Sequence, residues 1–290
     1  MAPDLDALRV GFIGAGRLGK ALAWVCSRRG IQVVAVASRS CAAAQALAAK
    51  VEACRVLDAQ EVADTCDLIF LTTPDAVIRQ TAQALHWRAG SFVVHCSGAT
   101  EISDLSKAQA DGAFIGGFHP LQTFGDPEAA AQSLPGCTIT VEAAQPLDAL
   151  LMALAERLGC AVNRLPAGAR PLYHAAAGHT SQHINALLFE AAAMWHSWGA
   201  TEAAAVQALL PMMRGTLASI AQAGLAAGMP GPVSRGDVAS VRKHVQAIKA
   251  LDARRLVLYR ELCDRTVQLA LAGGRIDEAT AGRVRDVLAG

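Results

Sequence analysis

The sequence predicts an α/β protein: an N-terminal doubly wound, mostly parallel sheet followed by an all-α C-terminal domain. Three observations lead there. Short apolar runs alternate with helix-like segments up to about residue 165. A glycine-rich turn follows the first of those runs. Beyond "NRLPAGARP" (163–171) the apolar runs stop and only helical patterning continues. Strand and helix in alternation build a sheet with helices on both faces, whereas a purely helical tail must fold as a separate layer. The predicted division is residues 1–165 and 166–290.

Each strand is justified by a short apolar run bounded by turn residues. "RVGFIG" (9–14), "QVVAVAS" (32–38), "DLIFLTT" (67–73), "SFVVHCS" (91–97), "AFIGGF" (113–118) and "CTITVEA" (137–143) read as strands buried on both faces. Segments 17–29, 41–50, 75–86 and 145–158, rich in Ala, Leu, Gln and Arg, read as the intervening helices. In the C-terminal part, breaks are expected at Trp198-Gly199, at Pro211, over "AGMPGPVSRGD" (227–237) and at Gly273-Gly274. Asp237 is placed to cap the helix after that loop. Alanine-rich helices of this kind need a partner surface, so a homodimer through the helical domain is expected.

Composition narrows the function. With 26 Lys+Arg against 25 Asp+Glu, the chain offers no broad basic field for nucleic acid or an anionic membrane. A small-molecule partner is expected instead. The eight cysteines are scattered without a Cys-x-x-Cys pair, as in a reduced protein that uses them as small hydrophobes. The N-terminus "MAPDLDALRV" does not resemble a signal peptide, and no segment is apolar for the ~18 residues that a membrane helix requires. A cytoplasmic location is the expectation.

"VGFIGAGRLGKAL" carries Gly14-x-Gly16-x-x-Gly19 between a strand and a helix. In a dinucleotide site the first glycine makes the tight turn, the second admits the pyrophosphate and the third lets helix and strand pack closely. Ala15, Arg17 and Leu18 complete the loop, whose helix N-terminus offers free N–H groups to phosphates. An acidic residue about 20 positions on would hold the ribose hydroxyls of NAD. Ser38-Arg39-Ser40 stands there instead, and a guanidinium flanked by hydroxyls suits the 2′-phosphate of NADP. Thr72-Thr73-Pro74 and Ser97-Gly98 fall at carboxyl ends of strands, the edge at which open sheets bind ligands.

"FIGGFHPLQTFGD" (114–126) places polar groups beyond the expected end of a strand: His119 as a catalytic candidate, with Gln122 and Thr123 as substrate contacts. His174 is a second catalytic candidate. His179 and His183 are four apart, the spacing of two metal ligands on one helix face, but no Glu lies between them as in His-Glu-x-x-His, so no metal is assigned. Arg235 could clamp a substrate carboxylate, Asp237 could orient it or a histidine, and His244 lies two turns along from Asp237.

Taken together, "GFIGAGRLG", "FLTTPD", "GGFHPLQTF", "YHAAAGHTSQHINAL" and "GPVSRGDVASVRKH" resemble Rossmann-like proteins carrying the C-terminal helical domain DUF2520. These are similar in architecture to pyrroline-5-carboxylate reductase, ketopantoate reductase and the 6-phosphogluconate dehydrogenase superfamily. The resemblance implies an NAD(P)-dependent oxidoreductase acting in a cleft between domains, with ketopantoate reduction associated with some relatives. Two positions depart from the pattern: Gln182 of Ser181-Gln182-His183 where Asn is usual, and Ser240 where Thr is usual. Hydroxyacid dehydrogenases of this architecture use a lysine from the first interdomain helix, and no lysine occurs here between Lys107 and Lys243. His119, His174 and Asp237 are therefore the expected catalytic groups, and Gln122, Thr123, Gln182, Arg235 and His244 the expected substrate contacts. The expected activity is NADP-dependent reduction of a small 2-oxo acid or imine. A module that holds NADP without turnover and a metal-dependent hydrolase at His179 and His183 are the competing readings.

Overall fold

A computed structural model describes residues 4–290. Eight strands form one sheet: β1 (Val10–Ile13), β2 (Val33–Ala37), β3 (Arg55–Val56), β4 (Leu68–Leu71), β5 (Phe92–His95), β6 (Phe114–Pro120), β7 (Thr138–Ala143) and β8 (Ala161–Arg164). Their order is β3-β2-β1-β4-β5-β6-β7-β8. All neighbours run parallel except β6 and β7. Eight helices share this unit, which runs through Ser181: α1 (Arg17–Arg28), α2 (Cys41–Ala48), α3 (Ala59–Thr65), α4 (Ile78–Gln83), α5 (Ser106–Ala110), α6 (Pro127–Ser133), α7 (Leu147–Arg157) and α8 (Arg170–His179).

The sheet is apolar on both faces for a simple reason. Alternate residues of each strand point to opposite sides. On one side Phe12, Phe70, Val94 and Phe118 join Leu22, Leu47 and Leu150. On the other, Ile13, Ile69, Leu71 and Val93 join Val62, Ile78 and Leu105. Phe12, Phe70 and Phe118 continue as an aromatic row, with ring centroids 5.2 and 5.6 Å apart. This is the doubly wound α/β sheet that the sequence predicts.

Some boundaries differ from expectation. β3 is two exposed residues and β8 is a mostly exposed, polar edge strand, so neither produces an apolar run. β6 extends to Pro120 because antiparallel β7 continues the ladder, pairing His119 with Thr140 and Pro120 with Ile139. His119 therefore lies within a strand, not beyond its end.

The second compact unit, Gln182–Gly290, is helical: α9 (Gln182–Trp195), α10 (Glu202–Ala227), α11 (Val238–Leu251), α12 (Ala253–Ala272) and α13 (Glu278–Ala289). Val241, Val245, Leu256, Val267, Val284 and Leu288 form its core. Pro211 does not break α10, which runs through it. A proline's fixed φ is itself helical, and its cost of about 3 kcal/mol is borne here by flanking turns of strong helix formers. The non-helical residue is Gly224, with φ 81°. Breaks do occur at Gly199, after Gly228 and at Gly273-Gly274, and Asp237 caps α11 by accepting from the Ser240 N–H. Among the described residues no helix is long and apolar enough to cross a membrane.

Candidate functional site

Two of the three glycines of the first turn answer a steric demand, and the third leaves space open. Gly14 has φ +117°, and a Cβ there would meet the Thr72 carbonyl carbon at 2.6 Å. At Gly19 a Cβ would lie 2.5 Å from the Gly14 oxygen and 2.7 Å from Thr72 Oγ1. Thr72 itself donates to the Gly14 oxygen at 2.7 Å, locking the turn against the end of β4. Gly16 faces open space, with only the Thr72 oxygen at 4.0 Å. It caps α1 without a side chain, and no acidic residue stands in the first turn, so the amides of Arg17, Leu18 and Gly19 face outward unpaired within the helix.

Two cavities of about 590 and 580 Å³ meet at this turn and share Gly16, Thr72, Thr73 and Pro74. The first, which also contains Gly14 and Ala15, reaches Ser38 and Arg39. The second reaches Arg17, Leu18, Asp75, Cys96 and Thr123. Thr73 Oγ1 is buried at the junction without a partner among the described residues. Ser38 accepts from the Ser40 N–H, Ser40 caps α2 through the Ala43 N–H, and Arg39 is exposed. A two-lobed groove, pinched at a glycine over a helix N-terminus, fits a dinucleotide with its pyrophosphate at the pinch.

At β5, β6 and β7 one face of the sheet turns polar. His95, Gly117 and Glu142 are register neighbours across the three strands. Gly117 has no side chain, and the guanidinium of Arg170 from α8 fills its slot: a Cβ at Gly117 would sit 1.8 Å from Arg170 Nη2. Arg170 is wholly buried. Its Nε donates to Glu142 Oε2 at 2.5 Å and its Nη1 to the Ser97 oxygen at 2.8 Å. Arg170 Nη2, Glu142 Oε1 and His95 Nε2 are buried without hydrogen-bond partners among the described residues.

Two residues along β6, on the same face, stands His119. Anchored by Arg170, α8 brings Tyr173 and His174 to it: Tyr173 OH lies 2.7 Å from His119 Nδ1, and the two imidazole centroids are 6.4 Å apart. Gly98 explains itself here too, since a Cβ would meet His174 Nδ1 at 2.6 Å and His119 Nε2 at 3.0 Å.

Residues 4–120 match the family described as a Rossmann-like domain, and residues 137–266 match the domain of unknown function DUF2520. The chain joins a Rossmann-like domain to a DUF2520 domain. His95, Gly117 and His119 lie in the Rossmann-like segment, whereas Glu142, Arg170, Tyr173 and His174 lie in the DUF2520 segment. The polar face is thus built by both. A search of curated proteins found no match to the chain. Among solved structures, protein TM1727 from Thermotoga maritima is 22% identical with TM-score 0.76, covering 92% of this chain and 100% of its own. A reductive aminase from Aspergillus terreus, in complex with NADPH and ethyl-5-oxohexanoate, is 18% identical with TM-score 0.65, covering 94% and 98%. A pyrroline carboxylate reductase from Plasmodium falciparum with NADP bound is 11% identical with TM-score 0.59, covering 92% and 100%. At these identities the likeness is one of fold.

The remaining expected site residues of the Rossmann-like unit divide by what holds them. Ser97 is buried, and its hydroxyl accepts from the Ala99 and Thr100 N–H groups at 3.1 and 2.9 Å. Gln122 braces α6, its amide donating to Ser133 O and Oγ at 3.2 and 3.0 Å. Thr123 stays exposed and lines the second cavity.

In the helical unit, Asp237 accepts from Ser240 Oγ at 2.6 Å as well as from its N–H. Arg235 is exposed on the short turn before it. His244 pairs with Tyr259 on α12 through Nδ1, at 2.9 Å. Gln182 begins α9, with its amide 3.4 Å from His183 Nε2. A helix break at Thr180-Ser181 separates His179 from His183, so the two do not belong to one continuous helix. Local hydrogen bonding at Thr180 and Ser181 produces that break: both hydroxyls turn back to the Ala177 oxygen.

Burial sets the charge state of the polar face. Desolvation, then the charges of His174 and Arg170, push His119 down to about 4. Asp75, which lines the second cavity, acts on it in the opposite sense. Desolvation and Arg170 push His95 down to about 3. Both imidazoles are neutral near pH 7. An unfolded chain protonates both near pH 6.5, so between there and about pH 4 it binds more protons than the folded chain, and acidification favours unfolding. Urea denaturation followed against pH is expected to show stability falling from pH 6.5 towards 4, and His119→Gln is expected to flatten part of that fall.

Proposed function

We propose that the chain is an NADP-dependent oxidoreductase that reduces a small carbonyl or imine compound, with a 2-oxo acid of the ketopantoate type as first substrate to try. The observation that carries this reading is the two-lobed groove over Gly14, Gly16 and Gly19, with Arg39 exposed at one end and Thr73 Oγ1 unpaired at the pinch. The fold is also shared with a reductive aminase in complex with NADPH and a pyrroline carboxylate reductase with NADP bound.

In this reading Gly16 and the first amides of α1 take the pyrophosphate, and Arg39 pairs with the 2′-phosphate through its planar fork. NADPH, when bound, supplies the hydride. The chain must then supply a proton to the atom left with the electron pair, and the cluster of His119, Tyr173 and His174 offers the ionisable groups for it. Fluorescence titration is expected to give tight NADPH and weak NADH binding. Arg39→Ala is expected to weaken NADPH roughly 10- to 100-fold, the range of a charge-assisted hydrogen bond of about 1.5–3 kcal/mol, and to leave NADH unchanged. Binding of neither nucleotide would overturn the reading; tight binding without turnover of any carbonyl or imine would favour a non-catalytic NADP module.

We also propose self-association through the helical unit. Phe189 on α9, Met212 on α10 and Val257 on α12 are 61–62% exposed, and Leu187, Leu217, Leu225 and Leu262 add to that apolar surface. Exposed large apolar side chains concentrated on one unit are the raw material of an interaction surface. Light scattering is expected to give twice the 30.1 kDa chain mass, and Phe189→Glu with Val257→Glu is expected to return it to one.

A further inference from the structure

We propose that Tyr173 and His119 form a directional proton relay, in which Tyr173 is the positioning residue that holds His119 in its Nε2–H form and replaces the proton it gives away. The inference rests on the reductase reading and specifies how its proton is delivered.

The direction comes from the pair itself: a phenol gives up its proton far more readily than a neutral imidazole does, so the hydroxyl is the donor and the ring nitrogen the acceptor. Asn163, Thr140 and His119 are register neighbours across β8, β7 and β6. The Asn163 amide nitrogen, which can only donate, donates to Thr140 Oγ1 at 3.3 Å. Thr140 is fully buried beside His119 in the sheet. Tyr173 offers its hydroxyl proton to His119 Nδ1, 2.7 Å away. His119 Nδ1 is then the acceptor, so the proton of the neutral ring is on Nε2. That nitrogen lies 3.0 Å from where a Cβ of Gly98 would stand, beside His174 Nδ1.

The groups facing His119 come from four directions: His174, Tyr173 and Arg170 on α8, His95 at the end of β5, Asp75 beyond β4, and Thr140 on β7. Burial, then His174 and Arg170, disfavours a second proton on the ring; burial raises the Tyr173 hydroxyl, and Arg170 offsets part of that rise. The step balances without further reagents. As the C=O or C=N π bond breaks and its electron pair settles on oxygen or nitrogen, that atom takes the Nε2 proton. Nδ1 takes the Tyr173 hydroxyl proton in the same movement and the ring stays neutral; the tyrosinate then takes that proton back from Nδ1 as solvent reprotonates Nε2.

Histidine side-chain ¹⁵N–¹H correlation spectra of the ligand-free protein at pH 7 test the pair without any turnover. The wild type is expected to show His119 protonated at Nε2 alone, and Tyr173→Phe to transfer a measurable fraction to Nδ1–H while His244 is unmoved. A wild-type ring protonated at Nδ1, or a spectrum indifferent to Tyr173→Phe, overturns the relay even if the protein reduces carbonyls. In turnover with NADPH, Tyr173→Phe is expected to lower kcat/KM roughly 10- to 100-fold and to remove the alkaline fall in the pH profile that ionisation of the Tyr173 hydroxyl produces. An unchanged rate and profile overturns it. The NADPH titration of the wild type separates the two failures: if NADPH binds and carbonyls are reduced, only the relay has failed, and if neither occurs, the reductase reading has failed with it.

Discussion

One guanidinium in one missing side chain's place organises the polar half of this sheet. Arg170 occupies the slot above Gly117, between His95 and Glu142, and is tied to Glu142 and to the Ser97 carbonyl. A buried ion pair is not by itself a large source of stability, but losing one partner leaves a buried charge and costs about 3–5 kcal/mol. The pair therefore specifies position more than it adds strength. It pins the first turn of α8 to β6 and β7, and Tyr173 and His174 follow three and four residues later, on the helix face that meets His119.

The same buried cation determines what chemistry that face can do. Burial, reinforced by this positive charge, keeps the neighbouring imidazoles neutral; burial also pushes the Tyr173 hydroxyl up, and the cation offsets part of that. A neutral imidazole then serves as a donor and carrier, not as a resident acid. The groove over the glycine turn has the converse character: open amides, an exposed guanidinium and no acid in the first helical turn. The groove suits phosphates, and the histidine face suits a group that must receive a proton.

Much of this was legible in the residues. The alternation of apolar runs and helical segments pointed to the doubly wound sheet, and Gly14 and Gly19 stand where a side chain would collide with the chain, while Gly16 faces open space. His119 was visible as a polar group among apolar neighbours. What was not legible depended on pairing across the chain. Arg170 sits in a Pro- and Gly-rich stretch that reads as a connector, and nothing local says that its side chain reaches Gly117, 53 positions earlier. A signal did exist in "TITVE": Thr138, Thr140 and Glu142 alternate with Ile139 and Val141, which marks a strand with one polar face. Reading that run as apolar on both sides hid Glu142 and Thr140. Gln122 was misleading for the opposite reason, because its amide braces a helix end that no spacing rule relates to it.

A double-mutant cycle between Gly117→Ala and Arg170→Ala, read by chemical denaturation, tests the organising role of this contact most directly. All three heavy atoms nearest to an added Cβ at Gly117 belong to Arg170. The account predicts that Gly117→Ala is strongly destabilising in the wild type and nearly neutral once Arg170 is alanine, a coupling of at least 1 kcal/mol by the range found for residues in contact, about 0.5–3 kcal/mol. Additive effects of the two substitutions would contradict it, since Arg170 would then not occupy that slot.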